Sequence, residues 1–344
     1  MLPVAIPFLS LMLLAVQTGA AVPDAAAEAA RGTALAHDGK YDLAIEHYKA
    51  ALRLDAHLPG LQLNLGLAYF KSNHLREASA AFEEAVRADS GNFQARALLG
   101  MSYYGAGRYR DAAAQLKLTS AAQPDNTELR YTLAQSYLWS DQFPEALHEF
   151  QFLLSKDPDS APVHILLGET LDASGRTEAA TAEFEAAVTS SQTPPDAHFG
   201  LGYLYWKQQR YEEAGREFDA ELANQPQHPQ ALTYLGDIEM RADRNKPAET
   251  HLRRALSLDA NMRLAHLDLG VVLAAKNDTG EAARHFREAI RIDPSQPDAH
   301  YRLGRLLASL GRPQEAHAEF EKVKALAADV PPPPLLRLSG PPQQ

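Results

Sequence analysis

Histidine is the residue type in this chain whose spacing first suggests chemistry. His164, His198, His266 and His300 fall on a common beat of 34 residues, doubled once between His198 and His266. Imidazole is a common metal ligand and titrates near neutrality, so a metal site or a pH switch is the chemistry to test. In a helical chain that spacing puts successive rings on successive structural units, at least ~8–10 Å apart, too far for shared coordination. The histidines therefore read as packing residues, flat amphipathic rings that fill one recurring position. The 344 residues include no cysteine, which removes thiolate nucleophiles, thiolate metal sites and disulfides together. No His-Glu-x-x-His, Gly-x-x-x-x-Gly-Lys or Gly-x-Ser-x-Gly segment occurs. No catalytic, cofactor-binding or metal-ligating residue is assigned, and the chain reads as non-enzymatic. With 33 Lys+Arg against 44 Asp+Glu, a net charge of -11, it lacks the basic footprint that a nucleic acid would require.

The elements that carry these residues follow the same beat. Gly32, Gly66, Gly100, Gly168, Gly202, Gly236, Gly270 and Gly304 lie 34 residues apart, or 68 across one gap that Ala134 fills. Twelve residues after each comes alanine: Ala44, Ala78, Ala112, Ala146, Ala180, Ala214, Ala248, Ala282 and Ala316. With alanine at about one residue in six, nine such matches by chance have a probability on the order of 10⁻⁷. Four residues after each alanine stands an aromatic or a leucine: Tyr48, Phe82, Leu116, Phe150, Phe184, Phe218, Leu252, Phe286 and Phe320. Leucine precedes the small residue in every unit except the first, where Arg31 stands. Setting the glycine as the eighth position gives nine units: 25–58, 59–92, 93–126, 127–160, 161–194, 195–228, 229–262, 263–296 and 297–330.

Within a unit, apolar spacings of three and four predict two helices separated by a polar break such as Asp38-Gly39-Lys40 or Ser174-Gly175-Arg176. Glycine inside a helix costs about 1 kcal/mol against alanine, so its recurrence at one phase requires a packing benefit. Gly on the first helix and Ala on the second allow close approach, and the aromatic one turn later fills the wedge. Pro124, Pro158, Pro226 and Pro294 close four of the units and turn the chain into the next.

That pattern resembles the tetratricopeptide repeat family over about nine-tenths of the chain. The resemblance implies an all-α fold, a right-handed superhelical solenoid of antiparallel helix pairs, with first helices lining a concave groove and second helices outside. It departs from the family at the fourth position, where the usual large aromatic is replaced by Glu28, Gln62, Arg96, Arg130, His164, His198, Leu232, His266 and His300.

Family members bind proteins, and the resemblance places positions 2, 5, 9, 12 and 13 of each unit in the groove. Read off the sequence, these give an aromatic stretch of Phe70, Tyr104, Tyr131, Trp139, Phe199, Tyr203 and Trp206, with Leu63, Leu67, Met101, Leu138 and Ile165 between them. Aromatic anchors are favoured at binding hot spots, although position 12 also serves to pack neighbouring first helices. Toward the C-terminus the same positions become Glu169, Asp172, Asp196, Asp237, Arg241, Asp298 and Arg305, a solvated polar face or an acceptor for a basic segment. The clamp that relatives use for a chaperone's C-terminal carboxylate is missing, since positions five and nine hold no Lys or Asn. An asparagine ladder at position six is missing too: Asn64 is followed by Leu98, Thr132, Leu166 and Gly200.

Outside the repeats, residues 2–16 form an uncharged apolar stretch, too short to span a bilayer comfortably and interrupted by Pro3 and Pro7. Residues 1–20 read as a cleaved secretory signal and 21–24 as a short linker, so an exported protein, periplasmic or extracellular in a bacterium, is expected, without a stable membrane span after cleavage. Residues 331–344 form a Pro-rich tail, which either frays or folds Leu335, Leu336 and Leu338 back over the last helix. The functional expectation is a scaffold that holds a partner protein or peptide in its groove, in envelope assembly or secretion. The alternative is a regulatory or substrate-recruiting subunit of an enzyme whose catalytic chain is separate.

Overall fold

The computed structural model describes residues 24–190, 193–326 and Leu338. The proposed leader, nearly all of the linker and the rest of the tail lie outside the described residues. Among the described residues eighteen α-helices follow in pairs. The first helices of the pairs are α1 (Ala25–His37), α3 (Leu61–Lys71), α5 (Phe93–Gly105), α7 (Thr127–Trp139), α9 (Ala161–Ala173), α11 (Ala197–Lys207), α13 (Pro229–Arg241), α15 (Arg263–Ala275) and α17 (Pro297–Ser309). The second helices are α2 (Tyr41–Leu54), α4 (Leu75–Ala88), α6 (Tyr109–Ala122), α8 (Phe143–Lys156), α10 (Thr177–Thr189), α12 (Tyr211–Asn224), α14 (Asn245–Leu258), α16 (Thr279–Ile292) and α18 (Pro313–Leu326). The chain forms two compact bodies, the N-terminal one ending at Ser102 and the C-terminal one beginning at Tyr103. Among the described residues no helix is long and apolar enough to cross a membrane.

The turn inside each pair has one recurring cause. Gly39, Asn73, Gly107, Asp141, Gly175, Gln209, Asp243, Asn277 and Gly311 stand 34 residues apart, all with φ between 57° and 79°. That left-handed residue lets the next amide donate to a carbonyl five residues back, as Arg176 does to Leu171 at 2.9 Å and Arg210 to Tyr205 at 2.8 Å. This satisfies the carbonyls that a helix end leaves open and reverses the chain. Seven first helices start at the first position of the repeat frame. In α3 and α11 the second position is left-handed instead, Gly60 at φ 76° and Asp196 at φ 65°, and the helix starts two residues later.

Packing within each pair follows the small-residue code, with one refinement. A Cβ added to Gly66, Gly168, Gly202 or Gly270 would stand 2.6–2.8 Å from a ring atom of Phe82, Phe184, Phe218 or Phe286 respectively. The glycine is thus the seat of the aromatic ring, and the alanine one turn before that ring is sealed: Ala44, Ala78, Ala146, Ala180, Ala214, Ala248 and Ala282 are 0% exposed.

In the C-terminal body the first helices are the inner layer. α9 buries ten of its 13 residues against four of 13 in α10, and α13 buries eight of 13 against three of 14 in α14. Successive first helices also touch each other directly, α11 with α13, α13 with α15 and α15 with α17. Leu338 does not lie over α18. It sits on α9 and α11, where its amide donates to Glu169.

Candidate functional site

Most polar fourth-position side chains link the two helices of their own repeat, and several also reach a carbonyl at the end of the preceding one. His164 Nδ1 lies 2.7 Å from Glu183 Oε2 and its Nε2 lies 2.9 Å from the carbonyl of Pro158. His198 meets Glu217 at 2.8 Å, His300 meets Glu319, and Arg130 holds Glu149 while its Nε reaches the carbonyl of Pro124 at 2.8 Å. Each link to a glutamate joins the first helix to the second, 19 residues on, and the carbonyls of Pro158 and Pro124 lie six residues back. His266 meets His285 instead, Nδ1 to Nδ1 at 2.8 Å, so one ring donates and the other accepts. Burial, together with the neighbouring His266 and Arg284, holds His285 below the usual imidazole range.

Among the described residues one cluster has ligand atoms close enough for a metal: Asp196, Glu221 and His228, all within 4.8 Å of one another. Its atoms are engaged internally. His228 Nδ1 accepts the amide of Ala231 at 3.1 Å, which leaves Nε2 to donate to Asp196 at 3.2 Å. Gln225 donates to both Asp196 and Glu221, and Glu221 accepts the Phe199 amide at 3.0 Å. These bonds tie the left-handed entry of α11 to α12 and α13.

Phe70 lies half-buried near the end of α3 in the N-terminal body. The other six expected groove aromatics lie in the C-terminal body and divide by environment. Tyr104 is half-buried, donates to Gln135 at 2.9 Å and packs edge-on to Tyr109, whose ring adjoins Trp139. Burial, and secondarily Tyr109, pushes the Tyr104 phenol up to about 12. Tyr131 is half-buried, and burial with the nearby Glu169 raises it. Trp139, Phe199 and Tyr203 are buried, at 8%, 7% and 5% exposure. Phe199 is enclosed by His228, Phe218 and Tyr234, with ring centroids 4.7–6.0 Å away. Trp206 is half-buried, stacks on Tyr203 at 6.2 Å and donates its indole N–H to Asp237 at 2.6 Å. These phenols stay protonated at neutral pH and act as hydrogen-bond donors, with no tendency to serve as bases.

The centre of the second cluster is Tyr234, which touches Phe199, Tyr203, Trp206 and Phe218. It occupies position six, outside the set that the resemblance assigned to the groove. Burial drives its phenol far above the ordinary range, with Tyr203 and Asp237 adding to it. Asp268 and Gly200 share position six. The signal was present in the sequence, where position six was compared only with an asparagine ladder.

The expected solvated face is corrected by burial at three positions, while Arg241 and Arg305 are exposed as expected. Glu169, Asp172 and Asp237 are 1%, 2% and 0% exposed, and Asp268 is 3% exposed. Neighbouring repeats cover the inner layer at these four carboxyls, which become interior. Lys207 reaches back to Asp172 at 2.7 Å, Arg241 holds Asp237 at 2.7 Å, and Arg263 meets Asp298 at 2.8 Å. The remaining oxygens, Asp172 Oδ2, Asp237 Oδ1 and Asp268 Oδ2, are buried without a hydrogen-bond donor. Each such acceptor costs about 1–3 kcal/mol. Burial first and Asp237 second hold the Asp268 carboxyl well above its usual range, offset in part by Arg241 and Arg263. Chemically the inner layer therefore offers partly exposed apolar rings and neutral phenol donors, while its unpaired carboxyl oxygens lie in the interior.

Family profiles described as tetratricopeptide repeat match residues 63–127, 166–229, 199–263 and 234–297, and a second such profile matches 103–169 and 273–333. A third, described as TPR repeat, matches 32–73. No curated protein sequence matches the chain. Among solved structures, the APC/C hetero-tetramer Cut9–Hcn1 aligns at TM-score 0.56 and 15% identity, over 89% of this chain and 74% of that one. The C-terminal part of a TPR repeat-containing protein from Cytophaga hutchinsonii aligns at 0.55 and 15% identity, over 69% and 98%. Pseudomonas aeruginosa PilF aligns at 0.52 and 18% identity, over 60% and 95%. At these identities the likeness is one of fold.

Proposed function

Because the chain belongs to the tetratricopeptide repeat family, we propose that it is a non-catalytic scaffold whose inner first-helix layer holds an extended segment of a partner protein. The observation that carries this reading is the run of half-buried aromatics along that layer, Tyr104, Tyr131 and Trp206, which keep part of their surface in water. A segment with apolar side chains matches that aromatic surface, and the stacked repeats present it preformed, which limits the ordering cost of binding. The apolar leader at residues 2–16 supports export and a role in envelope assembly or secretion; N-terminal sequencing of the mature protein from its native host tests cleavage after Ala20.

Binding is tested by placing a photo-crosslinking amino acid at Tyr131 or Trp206 and, as a control, at exposed Leu118 on α6, in the native host. A discrete adduct from the inner positions alone is expected, weakened at least ~30-fold in competition by Trp206→Ala, since hot-spot truncations cost about 2 kcal/mol or more. Equal labelling from Leu118 refutes an inner binding face. Trp139, Phe199 and Tyr203 are poor probes, because truncating buried rings perturbs the fold itself.

A further inference from the structure

Leu338 is 169 residues from Glu169 in sequence and is seated on the inner layer of the C-terminal body. Its backbone N–H donates to Glu169 Oε1 at 2.5 Å, and Glu169 is itself 1% exposed. Its side chain occupies space that a missing side chain provides: a Cβ added at Gly200 would stand 2.6 Å from Leu338 Cδ1. Beside the leucine remains a pocket of about 180 Å³ lined by Tyr131, Pro162, Ile165, Leu166 and Pro194. The seat thus reads two features of a ligand at once, a branched aliphatic side chain over Gly200 and a backbone amide aimed at Glu169. Proline fails the second requirement, and polar side chains fail the first.

We propose that this seat is the specificity subsite of the inner layer, that its ligand class is an extended protein segment presenting leucine with a free amide, and that Leu338 is a built-in competitor for it. The inference rests on the scaffold reading and adds to it the chemistry of the segment and a regulatory consequence: a partner engages by displacing Leu338. A tethered ligand acts at an effective concentration on the order of 1 mM, so for a free-segment Kd of ~100 µM the intact chain binds an added copy about tenfold more weakly than a chain whose own copy is disabled.

The probe is a fluorescein-labelled peptide of residues 331–344, titrated by anisotropy into the full chain and into full-length Leu338→Asp. The Leu338→Asp chain should bind the peptide about tenfold more tightly than the wild type. A peptide carrying Leu338→Asp, and one N-methylated at the Leu338 amide, should each bind at least tenfold more weakly than the parent. Equal affinity of the two chains overturns the competitor role, and indifference to N-methylation overturns the Glu169 contact. No binding to the Leu338→Asp chain overturns the seat altogether. Failure here with an intact Trp206 crosslink leaves the scaffold reading standing. Peptide binding without any cellular adduct leaves the seat and refutes the scaffold role.

Discussion

Replacing Gly202 with alanine tests whether the recurring glycine is a ring seat. The new methyl would stand 2.8, 2.9 and 3.2 Å from Cε1, Cδ1 and Cζ of Phe218, where ordinary contact begins near 3.4 Å, so the ring must retreat by roughly half an ångström. It has nowhere to go: Phe218 is 0% exposed and lies against Phe199 and Tyr234, with centroids at 5.8 and 5.6 Å. Overpacking of this kind costs about 1–3 kcal/mol. The alanine returns about 1 kcal/mol of helix propensity, for a net loss near 1 kcal/mol. Gly215, on the facing helix α12, is the internal control, because a Cβ there meets nothing within 4 Å. Gly215→Ala should therefore gain up to ~1 kcal/mol, and the two variants should differ by about 2 kcal/mol in urea unfolding followed by circular dichroism. The fourth repeat shows the accommodation available: Ala134 replaces the glycine opposite buried Phe150, and α7 and α8 make the least extensive contact of the hairpins whose packing is described. If Gly202→Ala stabilises as much as Gly215→Ala, the ring-seat account is wrong.

Three further outcomes are expected. Asp268→Asn should raise the thermal midpoint at pH 7. The native carboxyl is held above its unfolded value, so its contribution falls away as pH rises above about 4, and the amide removes that penalty; a lowered midpoint would mean the charge is favourably paired. Wild-type stability should fall on acidification below about pH 6.5, because His285 is depressed in the folded state and the unfolded chain binds more protons there. His285→Gln should flatten that slope in thermal melts between pH 7.5 and 5, and an unchanged slope would assign it to other groups. Gln209→Gly should gain up to ~1 kcal/mol in urea unfolding, since Gln209 holds φ 61° where a side chain is disfavoured; a loss would show that the Gln209 side chain makes a compensating contact.

The repeat frame, the helix pairs and the small residues that let each pair pack closely were legible in the sequence; that the glycine seats the side chain 16 residues later came from the structure. The former depend on interactions within one hairpin, whose geometry is set by helix periodicity and residue size. Only four of the nine left-handed turn residues were legible as glycine, because Asn, Asp and Gln fill the same conformation at a modest cost. What the sequence could not assign was the depth of each inner-layer residue. Phe199 and Trp206 are both groove positions by phase, yet one is enclosed by α12 and α13 and the other is half-buried. Glu169, Asp172 and Asp237 look like a solvated charge run and are interior, because neighbouring repeats cover the first helices there. Leu338 is the limiting case: its seat is built from Glu169 and Gly200, and no local pattern connects residues so far apart. Local periodicity fixes which way a side chain points within its hairpin; how much water it retains depends on what other repeats and the distant tail place over it, and only the tertiary structure decided that.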